Sequence, residues 1–491
     1  MEVIWGISAL NHDASITVMD SGNNILFAAH SERYSRIKND RFLNSNIIDA
    51  AKKFGNPVQI AWFEKPYLKK SRQAFAGQWD EVWTPTPSAY LGTLNLGHIP
   101  VVYIPHHQSH AAAGYFTSKF SNAAIIVVDA IGEWDTISVW DAKAASLKKI
   151  HSVRYPSSLG LLYSAMTQRV GLKPNEEEYI LMGMAAYGKP IHTESILNDF
   201  VSYYKTPDFT LRENVHRGIR QWRPDLSTEQ DFMDIAASIQ LITENFMCDI
   251  AKWARQNIQS DNLILMGGCA LNCVANEKIA RLGLFKDIWI MPNPGDAGSS
   301  LGAILAYTQV HANWNNPYLG TNIDRPFDVS KVVDAIVSDK IIGIATGRAE
   351  FGPRALGNRS LIADPRGDEI KSKVNAIKKR QQFRPFAPIV LEGLAHSYFD
   401  MPVRTSPYMQ FTARCLRPDL FPAICHVDGS SRVQTLNEEQ NPRIFAVLTE
   451  FYRRTGCPIL LNTSLNIKGE PLVDSWEDAM QFQSKYNITI F

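Results

Sequence analysis

The sequence predicts an α/β protein of two domains. Three observations lead there: the length, an alternation of short apolar runs with glycine- or proline-led helical stretches, and one poorly periodic segment well past the middle. A chain of 491 residues is longer than one hydrophobic core usually serves. Residues 3–29 read as apolar strand, polar turn (Asp20, Ser21, Gly22, Asn23, Asn24) and apolar strand, the pattern of a hairpin. Residues 124–129, 263–266 and 288–291 read as buried strands, each followed by glycine or proline and then by helical character. Residues 311–328 carry Asn, Pro, Gly and Asp without periodicity, and an apolar strand restarts over 340–346. The boundary is accordingly placed near 325, giving a larger domain over 1–325 and a smaller one over 326–491. No internal repeat is visible.

Composition narrows the function classes. Hydrophobic residues make up 45% and charged residues 20%, without low-complexity tracts, so the chain is expected to fold throughout. A formal net charge of +1 offers no broad footprint for a nucleic-acid polymer, and small anionic ligands suit it better. The acidic start Met-Glu-Val-Ile-Trp does not resemble a signal peptide, and no apolar run is long enough to span a bilayer, so a cytoplasmic protein without membrane association is expected. Six cysteines are too few for a disulfide scaffold. Cys269 and Cys273 lack a second Cys/His pair and read as packing residues.

The strongest chemical signal is Pro105-His106-His107-Gln108-Ser109-His110 followed by three alanines. Proline ahead of such a run marks a helix start, and His106 and His110 then share a face, as two ligands of one divalent ion must. Carboxylates from elsewhere would complete the set. Asp129 closes an apolar strand and Asp296 lies in the turn Pro294-Gly295-Asp296-Ala297-Gly298, so both suit the role, although His-x3-His alone also fits a polar-faced helix. Gly267-Gly268 follows the strand 263–266 and precedes a helical stretch, where absent side chains let a nucleotide approach the backbone; Gly295 and Gly298 form a second such turn. Between Arg366 and Arg384 the chain is strongly basic, which reads either as a solvated helix face or as a phosphate site.

Several motifs together resemble the carbamoyltransferase family of antibiotic and nodulation-factor biosynthesis (NodU/CmcH type). They are Asn11-His12-Asp13-Ala14-Ser15, the run at 106–110, Gly267-Gly268-Cys269-Ala270-Leu271-Asn272, Phe351-Gly352-Pro353-Arg354-Ala355-Leu356-Gly357-Asn358-Arg359-Ser360, Phe383-Arg384-Pro385-Phe386, His426-Val427-Asp428-Gly429-Ser430-Ser431-Arg432, and Leu461-Asn462-Thr463-Ser464-Leu465-Asn466. The resemblance implies a two-lobed actin/hexokinase-like domain, a duplicated ribonuclease-H fold similar to the core protein of tRNA threonylcarbamoyl transfer. A smaller α/β YrdC-like domain would follow it. It also implies ATP-dependent O-carbamoyl transfer: carbamoyl phosphate and ATP, with Mg2+, give carbamoyl-adenylate in the YrdC-like domain, and a hydroxyl of a small acceptor takes the carbamoyl group in the larger one. A hydroxymethyl pyrimidine nucleotide and a sugar-bearing natural product are the acceptors considered; oligomeric state is left open.

The resemblance assigns His106, His110, Asp129 and Asp296 to iron or another divalent ion, and His12 to the general base. Lys378, Arg380, Ser464 and Asn466 match the family's Lys-x-Arg and Ser-x-Asn signature, with Arg354, Arg384 and Arg432 completing a clamp on carbamoyl phosphate. Asn272 and Asn276 would touch the adenylate beside the glycine turns, and Lys38 joins the cofactor-binding set. Asn11 and Asp13 would orient the His12 ring. Ile180 and Gln381 stand where the family usually has lysine and an acidic residue. The rival readings are an actin-fold small-molecule kinase and a nucleotide-binding regulator without turnover.

Overall fold

A computed structural model describes residues 2–367 and 369–491. The chain forms two compact units, Met1–Ala28 with Arg41–Trp314, and Ala29–Asp40 with Asn315–Phe491. The division thus falls somewhat before residue 325, and a short early segment belongs to the second unit. No described helix is long and apolar enough to cross a membrane.

The first unit is built on two sheets. In the first, strands β1 (Val3–Ser8), β2 (Ser15–Asp20), β3 (Ile25–His30), β4 (Pro57–Trp62) and β5 (Val101–Tyr103) lie in the order β3-β2-β1-β4-β5. β1 runs antiparallel to β2 and parallel to β4, which runs parallel to β5. The turn into β3 closes because the Asp20 carboxylate accepts from the backbone N–H groups of Gly22 and Asn24 at 2.9 and 2.8 Å. In the second sheet β6 (Asn122–Val128), β7 (Asp135–Lys143) and β8 (Ser146–Arg154) form an antiparallel run. β9 (Val201–Lys205) and β10 (Asp208–Leu211) make a separate hairpin, and β11 (Asn262–Met266) and β12 (Asp287–Trp289) extend the second sheet in parallel beside β6. Its order is β8-β7-β6-β11-β12. Each sheet therefore places its third, second, first, fourth and fifth strands side by side with antiparallel and parallel neighbours in the same places. That is the duplicated, actin-like arrangement.

Strands buried on both faces read as unbroken apolar runs, as β6 and β11 do. The helix His106–Thr117 is buried along almost its whole length, its alanines allowing close neighbours. The helix Ser299–Thr308 approaches it so nearly that a Cβ on Gly302 would stand 1.9 Å from the Ser109 carbonyl oxygen.

The second unit holds a five-stranded mixed sheet in the order Ile341–Ala345, Arg359–Ala363, Ile459–Ser464, Ala387–Leu391, Gln434–Leu436. Apolar faces of the helices Val329–Asp339 and Pro442–Thr455 cover a core that includes Ile336, Ile342, Leu361, Ile389, Leu448 and Phe451. Residues expected to be irregular over 311–328 contain a strand, Tyr318–Ile323, paired antiparallel with Gly347–Glu350. The segment Ala29–Asp40 is tied in by hydrogen bonds: Arg33 Nη2 donates to the Gly352 carbonyl at 2.9 Å, Arg36 donates to the carbonyls of Leu472 and Pro471 at 2.6 and 3.1 Å, and Tyr34 meets the Thr321 hydroxyl at 2.7 Å.

Candidate functional site

In the first unit, three separated stretches converge on one buried point. His106 and His110 come from one helix face, Asp129 from the first residue beyond β6, and Asp296 from the short turn ahead of the helix Ser299–Thr308. His106 Nε2 lies 3.2 Å from Asp129 Oδ2 and 3.3 Å from Asp296 Oδ1; His110 Nε2 lies 3.4 Å from each of these oxygens and 3.1 Å from His106 Nε2. All four side chains are buried, and their candidate ligand atoms fall within 4.8 Å of one another. Four ligands about 2.0–2.2 Å from a common centre in a tetrahedron stand about 3.3–3.6 Å apart, so a divalent ion fits the donor set in chemistry and in spacing. Two carboxylates and two neutral imidazoles would balance its charge.

The electrostatics agree. Burial opposes charge on His106, but the Asp296 charge and the Asp129 hydrogen bond outweigh it and hold the imidazole well above its usual value. Burial likewise works against ionised Asp129 and Asp296, and the two histidines more than offset it, keeping both carboxyls well below the usual range. Without an ion the raised His106 and His110 thus supply the positive charge that two buried carboxylates need, and a divalent cation held by the neutral imidazoles would take that place.

His12 stands at the rim. Its Nδ1 lies 3.0 Å from Asp13 Oδ2 and its Nε2 3.7 Å from Asp296 Oδ2. Surrounding protein disfavours its charge, while the Asp13 hydrogen bond and the Asp296 charge favour it more strongly and raise its pKa; with 42% of the side chain exposed, water screens part of that effect. Asn11 does not orient this ring. Its amide donates instead to Asp296 Oδ2 at 3.0 Å, fixing the carboxylate.

The two glycine turns meet beside the cluster. Gly267, at φ 87°, donates its N–H to the Pro294 carbonyl at 2.9 Å, and Gly268 donates to Asp129 Oδ1 at 3.1 Å. A Cβ on Gly267 would lie 2.3 Å from the Val128 carbonyl oxygen, and one on Gly298 1.9 Å from that of Asn293, so both glycines are required by packing; Gly295 is open around its α-carbon. Asn272 has other work. Its side chain caps the helix Cys273–Arg281 through Ala275 N–H and exchanges two amide hydrogen bonds with Gln240, at 3.0 and 3.1 Å. Asn276 donates to the Ala270 carbonyl.

In the second unit, Lys378 is buried, and its ammonium faces four oxygens: the carbonyl and hydroxyl of Ser464 and the carbonyl and side-chain oxygen of Asn466. Burial, then the nearby Arg380 and Arg384 charges, push its pKa well below the ordinary lysine value. Arg380 donates to Asn375 Oδ1 at 2.6 Å and stacks 4.1 Å over the Phe386 ring. Asn462, on the strand that leads to Ser464, donates to Gln434 Oε1 at 2.7 Å and to the Ala355 carbonyl at 3.2 Å, which brings the stretches carrying Arg432 and Arg354 to the same strand. Lys38 pairs with Glu32 at 2.9 Å within the segment Ala29–Asp40, and this accounts for its charge locally.

Residues 64–305 match the family model described as Carbamoyltransferase N-terminus, and residues 333–491 match Carbamoyltransferase C-terminus. The Synechocystis protein sll1178 is 35% identical over 98% of this chain and 94% of its own length. The chain belongs to the carbamoyltransferase family. Nodulation protein NolO of Bradyrhizobium diazoefficiens is 33% identical over 76% of this carbamoyltransferase and 75% of its own length, and the 3'-hydroxymethylcephem-O-carbamoyltransferase of Amycolatopsis lactamdurans is 27% identical over 96% and 94%.

Two buried carboxylates of this carbamoyltransferase had no counterpart among the sequence candidates. Glu133 accepts from the His106 and Lys65 backbone N–H groups, and Glu350 accepts from those of Leu356, Asn358 and Arg359, shaping the turn that carries Arg354. A buried acid spaced three or four residues from another candidate could have drawn notice to Glu133. Ile180, which stands where the family resemblance leads one to expect lysine, is buried in the helix Glu178–Met184.

Proposed function

We propose that this carbamoyltransferase is ATP-dependent and acts on oxygen: in the second, YrdC-like unit carbamoyl phosphate loses its phosphate to water, the carbamate formed attacks the ATP α-phosphate to give carbamoyl-adenylate with release of pyrophosphate, and the carbamoyl group then passes to an acceptor hydroxyl beside the histidine–aspartate cluster of the first. The observation that carries the reading is the convergence of His106, His110, Asp129 and Asp296, with His12 at its rim. A divalent ion, Fe2+ in our reading, would supply Lewis-acid polarisation of the carbonyl under attack. His12 offers Nε2 to the acceptor hydroxyl as base; compensation of the two aspartates by a cation loosens the proton they otherwise hold on its ring. The open surroundings of the Gly295 α-carbon leave room for the nucleotide, Gly267 and Gly298 let the two turns pack beside it, and AMP is the leaving group.

In the second unit Arg354, Arg380, Arg384 and Arg432 supply planar donor forks for the phosphates, and Lys378 holds the Ser464–Asn466 loop against them. The acceptor is a small hydroxylated molecule, and the likeness to the 3'-hydroxymethylcephem-O-carbamoyltransferase favours a hydroxymethyl group.

The deciding experiment incubates the purified chain with ATP, carbamoyl phosphate and a pool of hydroxylated metabolites, followed by mass spectrometry. AMP and a product heavier by one carbamoyl unit are expected. ADP with a phosphorylated acceptor would establish the kinase reading, and neither nucleotide product would establish the regulator.

A further inference from the structure

We infer that Glu133 is a positioning residue that fixes the ligand cluster; this rests on reading the cluster as a divalent-metal site. His106 is the first residue of its helix, and first turns carry unpaired backbone N–H groups and fray. Pro105, which precedes it, provides no side-chain cap. Glu133 takes over that function from another part of the chain, its two carboxylate oxygens accepting from His106 N–H at 3.0 and 3.1 Å while Oε1 also accepts from Lys65 N–H at 2.7 Å.

Glu133 lies in the turn between β6 and β7, the same turn that begins with Asp129. That turn is closed by Asp129 N–H to the Thr136 carbonyl and Gly132 N–H to the Asp135 carbonyl, at 2.9 and 2.8 Å. One carboxylate therefore locks the segment bearing both histidines to the segment bearing Asp129. A metal-binding imidazole usually has its second ring nitrogen held by a hydrogen-bond partner. His110 Nδ1 has the Ser299 hydroxyl at 3.3 Å, but His106 Nδ1 is buried with no partner among the described residues, so the position of this ring depends on its backbone, which Glu133 holds.

Glu133 is buried, and burial disfavours its charge, while the backbone N–H groups of His106 and Lys65 and the positive end of the histidine helix favour it. Glutamine keeps the outline but removes the charge, and turns one acceptor into an amide NH2 that faces the His106 N–H.

The test is a Co2+ titration of the full chain, read by visible d–d absorption and by chelator competition, on wild type and on Glu133→Gln, Glu133→Asp and Glu133→Ala, each checked for folding by circular dichroism. Wild type is expected to bind one Co2+, Glu133→Gln to bind about 10–100-fold more weakly with an altered band, and Glu133→Asp, which keeps the charge with a shorter reach, to fall between. Wild-type affinity and spectrum in folded Glu133→Gln overturn the inference; where that variant fails to fold, the same result in Glu133→Asp overturns it. A wild type that binds no Co2+ overturns the metal reading itself.

Discussion

Lys378 Nζ lies 3.0 Å from Ser464 Oγ, across 86 residues of sequence. The Lys-x-Arg and Ser-x-Asn halves of the second unit's motif thus meet in space. Replacing Lys378 with Met removes the donor shared by four partly buried oxygens of Ser464 and Asn466 and is expected to cost about 1–3 kcal/mol of stability. Carbamoyl-phosphate-dependent exchange of labelled pyrophosphate into ATP should fall to background, while metal content is unchanged. Retained exchange would mean that the arginines act without this anchor.

Removing one ligand of the histidine–aspartate cluster separates transfer from activation. His110→Ala and Asp296→Asn are each expected to lose bound metal, measured by plasma mass spectrometry, and to stop acceptor carbamoylation. Adenylate formation should persist. Prolonged chelation of the wild-type protein should reproduce the pattern, and a single divalent metal added back should reverse it. Full transfer by metal-free protein would rule out a catalytic ion.

For His12, substitution by Asn removes the ring that faces both Asp13 and Asp296. Product formation should drop by about 10²–10⁴-fold, the usual contribution of general acid–base catalysis, with pyrophosphate exchange preserved. Equal loss of both half-reactions would sink the base role.

Arg36 anchors the early segment to the second unit through two carbonyls. Arg36→Ala is expected to destabilise that unit by about 1–3 kcal/mol. Hydrogen exchange should quicken around Pro471 and Leu472 and stay unchanged at His106 and His110. Uniform quickening would show that the contact is not local.

The candidate site could be read in the sequence wherever a local pattern carried the chemistry. A proline-led helix start put two histidines on one face, and a strand end presented Asp129. Functions that depend on partners distant in sequence could not be read that way. Asn272 follows two glycines, as a ligand contact might, yet its amide is taken by Gln240 and a helix cap. Arg359 sits five residues after Arg354 in one motif, but it is wholly buried and donates to the carbonyls of Asp474, Thr346, Gly347, Asn358 and Thr321. Nothing in residue type separates these two arginines. The strand Tyr318–Ile323 was hidden because its pairing with Gly347–Glu350 comes from tertiary contact, not from alternating hydrophobicity.

The placement of Ala29–Asp40 has a consequence for synthesis. Arg36 is made 436 residues ahead of its partner Leu472. At about 5–20 residues per second, the segment waits roughly 20 seconds to a minute and a half on the ribosome before its seat exists. The first unit can assemble while translation continues. The second can close only after Asn315–Phe491 has been made, when a stretch that left the tunnel ahead of most of the first unit is drawn back into a later one.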